Sequence, residues 1–445
     1  MDFDTLRQRA EAFLQKYHRA LYQRHTGLLA DIPIQQVYET PGIFTREVIL
    51  HFKEALSSTA EAEQSGLRPL WVFLIEGYLR LNVARFDEDL ARHYDQFTQS
   101  GAWVRHDALN AYPLLAQTIP DDVSRQLIDL YDQRWQALSA CLADIELDLL
   151  SYLQLIGGEQ PLQLMQQASA FLSETETSFQ SGLNRLRRQH GPIESRVELE
   201  RMLTGGQFAA GFPEVEQVPT VEDTLYHLGI DVTHQPNLAL EVNRSLLPGS
   251  AMAFPVRVPE EVYLVVSPAA GLCAYEQFLR VTGMIMPKLL LSPKHPWAAR
   301  RLAPHSIAEA YGELLAGLLC NSHWLVDLLD LDDVVGDLVE FCAFRRLYHL
   351  RRAAARLFHL VNRAQGKNNY SSIFQQALGV TIEPSSLWVD MGWQRRAIPT
   401  WRGLMAGQRL EAALLQQYGP SWYRDINATA RLRQLWSAGE FSCSV

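Results

Sequence analysis

The feature that most constrains this chain is its scarcity of strand patterning. Only one short window, about 236–267, carries β-rich or alternating segments, and most of the rest repeats its apolar residues at helical spacing. Leu238 to Val242, Met252 to Arg257 and Val262 to Val266 read as strands. Helix is predicted from Asp4 to His25, from Thr45 to Leu56, and from Pro69 onward with Trp71, Leu74, Tyr78 and Leu81 as a buried stripe. Asp121 or Asp122 can cap a helix running to Ile156, which Gly157-Gly158 ends, and Pro161 to Arg188 forms another. Gly205, Gly206, Gly211, Pro213 and Pro219 then mark a loop-rich crossing, followed by a short helix from Val221 to Leu228. Further helices are expected from about Leu272, Ser306, Asp333, Tyr370, Thr400 and Ile426. The expected organisation is mainly α, with an N-terminal helical lobe over 1–190 and a second lobe over 191–445 that holds the small sheet and the C-terminal helices.

Composition excludes several function classes. The chain has 445 residues, 47% hydrophobic and 20% charged, enough for a sizeable soluble core. A formal net charge of −10 argues against nucleic acid as the main partner. Arg345-Arg346 and Arg351-Arg352 read as the solvated face of a helix, and Arg80, Arg85, Arg92 and Arg105 as scattered over polar faces. The N-terminus lacks a signal-peptide pattern and no stretch approaches a membrane span, so no membrane partner is expected. The five cysteines (Cys141, Cys273, Cys320, Cys342, Cys443) form no C-x-x-C pair, as in a reducing, cytoplasmic setting.

The informative motif is Arg280-Val281-Thr282-Gly283-Met284. It follows the strand Val256–Val266 and precedes the helix Glu309-Ala310-Tyr311-Gly312-Glu313-Leu314-Leu315. Histidines four apart share one helix face and can both reach one Zn²⁺, and a glutamate between them serves as general base. The segment Asn243 to Met284, the Glu309 helix and the C-terminal stretches Trp401-Arg402-Gly403-Leu404, Tyr418-Gly419-Pro420 and Arg431 to Ser437 resemble gluzincin-type metallopeptidases related to oligoendopeptidase F and thimet oligopeptidase. The resemblance covers most of the chain. It implies a zincin-type helical two-lobe body with a central channel and a sheet edge that holds substrate backbone.

On that resemblance Arg280 stands at the first zinc histidine, Val281 at the catalytic glutamate and Met284 at the second histidine. Glu309 survives at the third ligand, 25 residues after Met284 (309 − 284). The stretch Gly392-Trp393-Gln394-Arg395-Arg396 has no tyrosine where the family places one for the oxyanion. Loss of the general base alone costs roughly 10²- to 10⁴-fold, and loss of two metal ligands removes the polarised water. The expectation is a pseudoenzyme with no catalytic residues and no cofactor, whereas the related active enzymes use zinc. An ion pair between Arg280 and Glu309, with Glu313 nearby, is expected because a buried carboxylate needs a partner. The sheet edge Ala253, Phe254, Pro255 and Val256 could bind an extended peptide or protein ligand by strand addition, and an active paralogue is a candidate partner. The alternative is a hydrolase with a relocated metal on His305, Glu309 and Glu313, which fall at i, i+4 and i+8.

Overall fold

The computed structural model describes residues 2–28, 34–39, 42–58, 61–99, 103–104, 114–115, 121–387, 390 and 396–439. The fold is 74% helical with one small three-stranded sheet. The first helices are α1 (Phe3–His25), α2 (Ile34–Glu39), α3 (Arg46–Ser58) and α4 (Glu61–Gln99). A two-residue antiparallel pair follows, β1 (Trp103–Val104) and β2 (Leu114–Leu115). Next come α5 (Asp121–Asp144), α6 (Leu149–Gly157), α7 (Pro161–Glu174), α8 (Glu176–His190), α9 (Arg196–Met202) and α10 (Glu214–His227). The sheet comprises β3 (Leu238–Val242), β4 (Ala251–Arg257) and β5 (Glu261–Val266). The chain continues through α11 (Leu272–Leu289), α12 (Trp297–Arg301), α13 (His305–Ala316), α14 (Ser322–Leu329), α15 (Val335–Ala364), α16 (Tyr370–Leu378), α17 (Ala397–Tyr418) and α18 (Ile426–Ala438).

Two helices expected to be continuous are broken, for local reasons. The Asp121 helix stops at Asp144 because Glu146 takes a left-handed φ of 56° and Asp148 caps a new helix through the Ser151 N–H. The buried Ile145 at the break fixes the turn into the core. The helix from Pro161 ends at Glu174, and Thr175 links it to α8. Conversely, Pro69 and Pro219 lie inside α4 and α10, whose start signals sit further upstream.

The sheet order is β3-β5-β4, with β3 parallel and β4 antiparallel to the central β5. Leu264 stands opposite both Leu240 and Ala253. Ala251, Val262, Leu264 and Val266 join the main core with α11. Met252, Phe254 and Val265 form a second cluster capped by Leu21 and Tyr22 of α1. Tyr22 stacks on Tyr263 with ring centroids 4.1 Å apart. Every residue of α11 except Glu276 and Lys288 is buried, as expected for a helix apolar nearly all round. This central helix carries positions 280–284.

Glycines set the helix spacing around it. A Cβ at Gly283 would overlap the carbonyl oxygen of Tyr311, so α11 and α13 cross in backbone contact. On the opposite side of α13, Gly403 packs against Glu309 and Gly407 against Ala310 and Glu313. The spacing Gly403-x-x-x-Gly407 therefore lets α17 approach α13 as closely as α11 does. Residues Glu309 to Ala316 are all buried between them.

Candidate functional site

The three helices bring the sequence-selected residues together. Arg280, on α11, is 5% exposed and donates from Nη2 to Glu313 Oε2 at 2.9 Å. Glu313, on α13, also accepts from Arg346 Nε of α15 at 2.6 Å, and Arg346 bonds in turn to Glu411 of α17. The result is an alternating chain, Arg280–Glu313–Arg346–Glu411, buried except for the part-exposed Arg346. Arg346 Nη2 has no hydrogen-bond partner among the described residues and borders a cavity of about 10 Å³, room for one water molecule.

The partner of Arg280 thus lies one turn beyond the expected one. Glu309 is bonded instead by His305 Nε2 at 2.9 Å, and Thr400 Oγ1 approaches it at 3.4 Å. Burial pushes the Glu309 carboxyl up, but the His305 bond and the charges of His305, Arg280 and Arg396 outweigh it and hold the group below its ordinary value. Arg280 therefore acts on Glu309 through space and on Glu313 by contact.

Met284 packs against Gly312, and Val281 is buried in the core cluster. A zinc ion needs lone-pair donors of the His, Cys or carboxylate kind. A guanidinium has no acceptor, valine has no donor atom, and a thioether is weak. Positions 280, 281 and 284 do not fit a zinc centre. The relocated site on His305, Glu309 and Glu313 does not assemble either. Among the described residues no group of three such side chains is gathered for a metal, because Glu313 faces two guanidinium groups while His305 and Glu309 bond each other.

Several buried charges were misread in the sequence. Arg345, Arg351 and Arg352 are buried, not solvated. Arg345 pairs with Glu276 and donates to Cys273 Sγ at 3.3 Å. Burial pushes the Glu276 carboxyl up, but Arg345, His349 and Arg280 bring it down to about 2. A second closed network joins α9, α15 and α16 to Asp390. Arg196 bonds Asp390 at 2.5 and 3.1 Å and Glu200 at 2.8 Å, and Arg352 bonds Asp390 at 2.6 Å. Tyr370 donates to Asp390 at 2.6 Å, and Tyr348 to Glu200. The one sequence signal for this network was the i, i+4 spacing of Arg196 and Glu200; Asp390 is too distant along the chain to be paired by pattern.

The sheet edge is partly engaged. Arg301 of α12 donates to the carbonyls of Pro255 and Val256, each at 3.2 Å, and Arg300 to that of Val258 at 3.1 Å. Pro255 has no N–H. By ladder alternation, the N–H and C=O of Ala253 point to the same outer edge as the Pro255 carbonyl, whereas those of Phe254 point toward β5. Residues 392–395, expected to lack the oxyanion tyrosine, lie outside the described residues, as does Cys443.

Arrangement and topology define a helical zincin-type peptidase fold, with a small sheet leading into a buried helix crossed by a second acidic one. Solved structures with this fold include carboxypeptidases. A Pyrococcus furiosus carboxypeptidase superposes with a TM-score of 0.56 at 10% identity, covering 99% of this chain and 94% of that one. The M32 carboxypeptidase of Deinococcus radiodurans gives 0.51 at 12% identity over 99% and 95%. Trypanosoma cruzi metallocarboxypeptidase 1 gives 0.51 at 10% over 99% and 94%. At these identities the likeness shows the fold alone. The specific likeness expected to oligoendopeptidase F is thereby reduced to this broader peptidase fold. By sequence, the chain matches no family model, and no curated protein matches it.

Proposed function

We propose that this chain is a metallopeptidase-fold protein that does not hydrolyse peptides and instead holds an extended peptide or protein segment in a cleft between residues 1–190 and 191–445. The observation that carries this reading is the Arg280–Glu313 ion pair. It places a fixed cation, itself unable to bind a metal, on the helix where the resemblance puts the first zinc ligand. Without a polarised water or a glutamate at 281, the chain lacks both halves of the hydrolytic step. The outer edge of β4 at Ala253 supplies a backbone donor and acceptor for strand addition. An active peptidase of the same fold is a candidate protein partner. Scattered thiols favour a cytoplasmic setting; Cys141, Cys273, Cys320 and Cys342 are unpaired, and among the described residues no helix is long and apolar enough to cross a membrane.

The test uses a library of fluorophore-labelled extended peptides with the purified full chain, scored for both anisotropy and cleavage. Saturable binding with no cleavage above buffer is expected. Cleavage that a chelator abolishes would overturn the reading, and so would the absence of any binding.

A further inference from the structure

The sheet has a second edge, on β3. The Val262 N–H donates to the Asn237 carbonyl at 3.0 Å, and the Asn243 N–H to that of Val266 at 2.8 Å. Residues of a parallel strand bond alternately to either side, so 237, 239, 241 and 243 face β5 while Leu238, Leu240 and Val242 turn their backbone groups outward. Gln235 takes the Leu238 N–H at 3.2 Å. Among the described residues nothing bonds the N–H or C=O of Leu240 and Val242, or the carbonyl of Leu238. On β4, by contrast, Arg301 and Arg300 hold the carbonyls that follow Ala253 and Phe254. Sheets usually blunt a free edge with proline, a bulge or a free charge. β3 has no proline and no register shift, and its one charged side chain, Glu241, is bonded by the Tyr22 hydroxyl at 2.8 Å.

Helix α10 runs beside this strand. Its first residue, Glu214, pairs with Arg244 just beyond β3, and residues 228–237 carry the chain from its last turn back to the start of β3. Helix and strand are therefore antiparallel and matched in length, about 21 Å against about 17 Å. Val242, at the end of the strand, is 53% exposed, and further exposed apolar side chains collect around it. Val215 follows the Glu214 that holds Arg244. Leu28 lies two residues beyond Thr26, whose carbonyl accepts from Asn243 Nδ2 at 3.2 Å, and Leu247 belongs to the same loop as Arg244. Four of the nine exposed large apolar side chains among the described residues thus border one end of one strand.

Charge decides what fits this edge. Residues 214–244 contain six acidic side chains and one arginine, a net charge of −5 out of −10 for the whole chain. Glu214 is paired with Arg244, Asp231 bonds His234 at 2.7 Å, and Glu241 is bonded by Tyr22. Glu216, Glu222 and Asp223 of α10 form no ion pair among the described residues. A second copy docked through the same edge would set these carboxylates against their own equivalents, which disfavours self-association. A basic segment is instead attracted to them.

We infer that the outer edge of β3 is a docking site for an extended segment of a partner protein that carries basic and apolar side chains. The segment adds as a fourth strand, exchanging backbone bonds with Leu240 and Val242. Its apolar side chains cover Val242 and Val215, and its cations face the carboxylates of α10. The strand order β3-β5-β4 puts this surface on the opposite side of the sheet from β4, so it does not depend on the peptide-binding reading of that edge.

The experiment uses the full chain and labelled peptides of about ten residues that alternate valine with lysine or valine with glutamate, plus a valine–lysine peptide N-methylated at every second residue. Anisotropy at low salt is expected to show the lysine peptide binding about tenfold more tightly than the glutamate one. Binding should be lost on N-methylation and in Leu240→Pro, a position whose N–H points outward and where an edge strand accepts proline. On the wild-type protein, residue-resolved hydrogen exchange should slow at the Leu240 and Val242 amides when the lysine peptide is bound, and not at Ala253. Equal binding of the lysine and glutamate peptides, or undiminished binding after N-methylation, would overturn the inference. Slowing at Ala253 alone would overturn it while leaving the β4 reading standing. Slow exchange at Leu240 and Val242 without peptide, in a chain that light scattering finds dimeric, would give the edge to a second copy and overturn it too. So would the absence of any binding by the lysine peptide.

Discussion

Arg280 is held by a carboxylate that the sequence offered as its second choice. Glu309 and Glu313 lie one turn apart on the same face of α13, so spacing alone could not decide between them. What decides is the neighbourhood. His305 stands one turn before Glu309 and claims it, while Glu313 projects between Arg280 and Arg346. Removing one member of a buried pair strands the other, at a typical cost of 3–5 kcal/mol. Arg280→Met leaves Glu313 with Arg346, so a loss at the low end, about 3 kcal/mol, is expected in urea unfolding. Glu313→Gln should cost more, because it leaves Arg280 and Arg346 facing each other with Glu411 as the nearby acid. The reverse order of these two variants would argue against the charge chain. The same limit explains why Arg345, Arg351 and Arg352 looked solvated. Their partners Glu276, Glu176 and Asp390 come from other segments, and pattern along one helix cannot reveal a carboxylate that arrives through the fold.

At the scale of helices, periodicity was a good guide to existence and a poor one to boundaries. The three strands and the helix at 272–289 fall where their apolar patterns lie, whereas the breaks at Glu146 and Thr175 depend on single capping and turn residues. The Gly403–Gly407 spacing takes its role from α13, which lies against it. Gly407→Ala would drive a methyl group into Ala310 and Glu313, and a loss of about 2–3 kcal/mol is expected. Gly336→Ala, on α15 with nothing near its Cβ, should instead stabilise by about 0.5 kcal/mol. Equal effects of the two would refute close helix approach as the reason for Gly407.

The Arg196–Glu200–Asp390–Arg352 network adds a pH dependence. Burial pushes the Asp390 carboxyl up, but Arg196, Arg352 and the bonds from Arg196 and Tyr370 bring it far below its ordinary range. A carboxyl depressed by folding contributes stability that is fully present above its unfolded value near 4 and is lost as pH falls toward the folded value. Urea midpoints should therefore decline below about pH 4, with a shallower slope in the Arg352→Met/Asp390→Asn double variant. Identical acid slopes in both proteins would exclude this network as a source.

Over the whole molecule, carboxypeptidase structures at 10–12% identity superpose across 99% of the chain. A fold survives such divergence because burial pattern and helix contacts tolerate substitution, whereas a metal centre does not tolerate the replacement of its donors. The sequence carried the architecture through its patterning, and the proposed absence of a zinc centre rests on three residues of one helix, Arg280, Val281 and Met284. What it withheld was the Arg280–Glu313–Arg346–Glu411 charge chain, because that is assembled from elements far apart in sequence. Whether the residues around Arg280 and Glu309 take zinc decides between a pseudoenzyme and a hydrolase. Calorimetric titration of zinc into the intact chain, stripped with chelator and rebuffered, is the most direct measurement. No saturable binding is expected from Arg280, Met284 and a committed Glu309. One equivalent of zinc bound by the wild-type protein, and lost in both Glu309→Gln and His305→Ala, would contradict it.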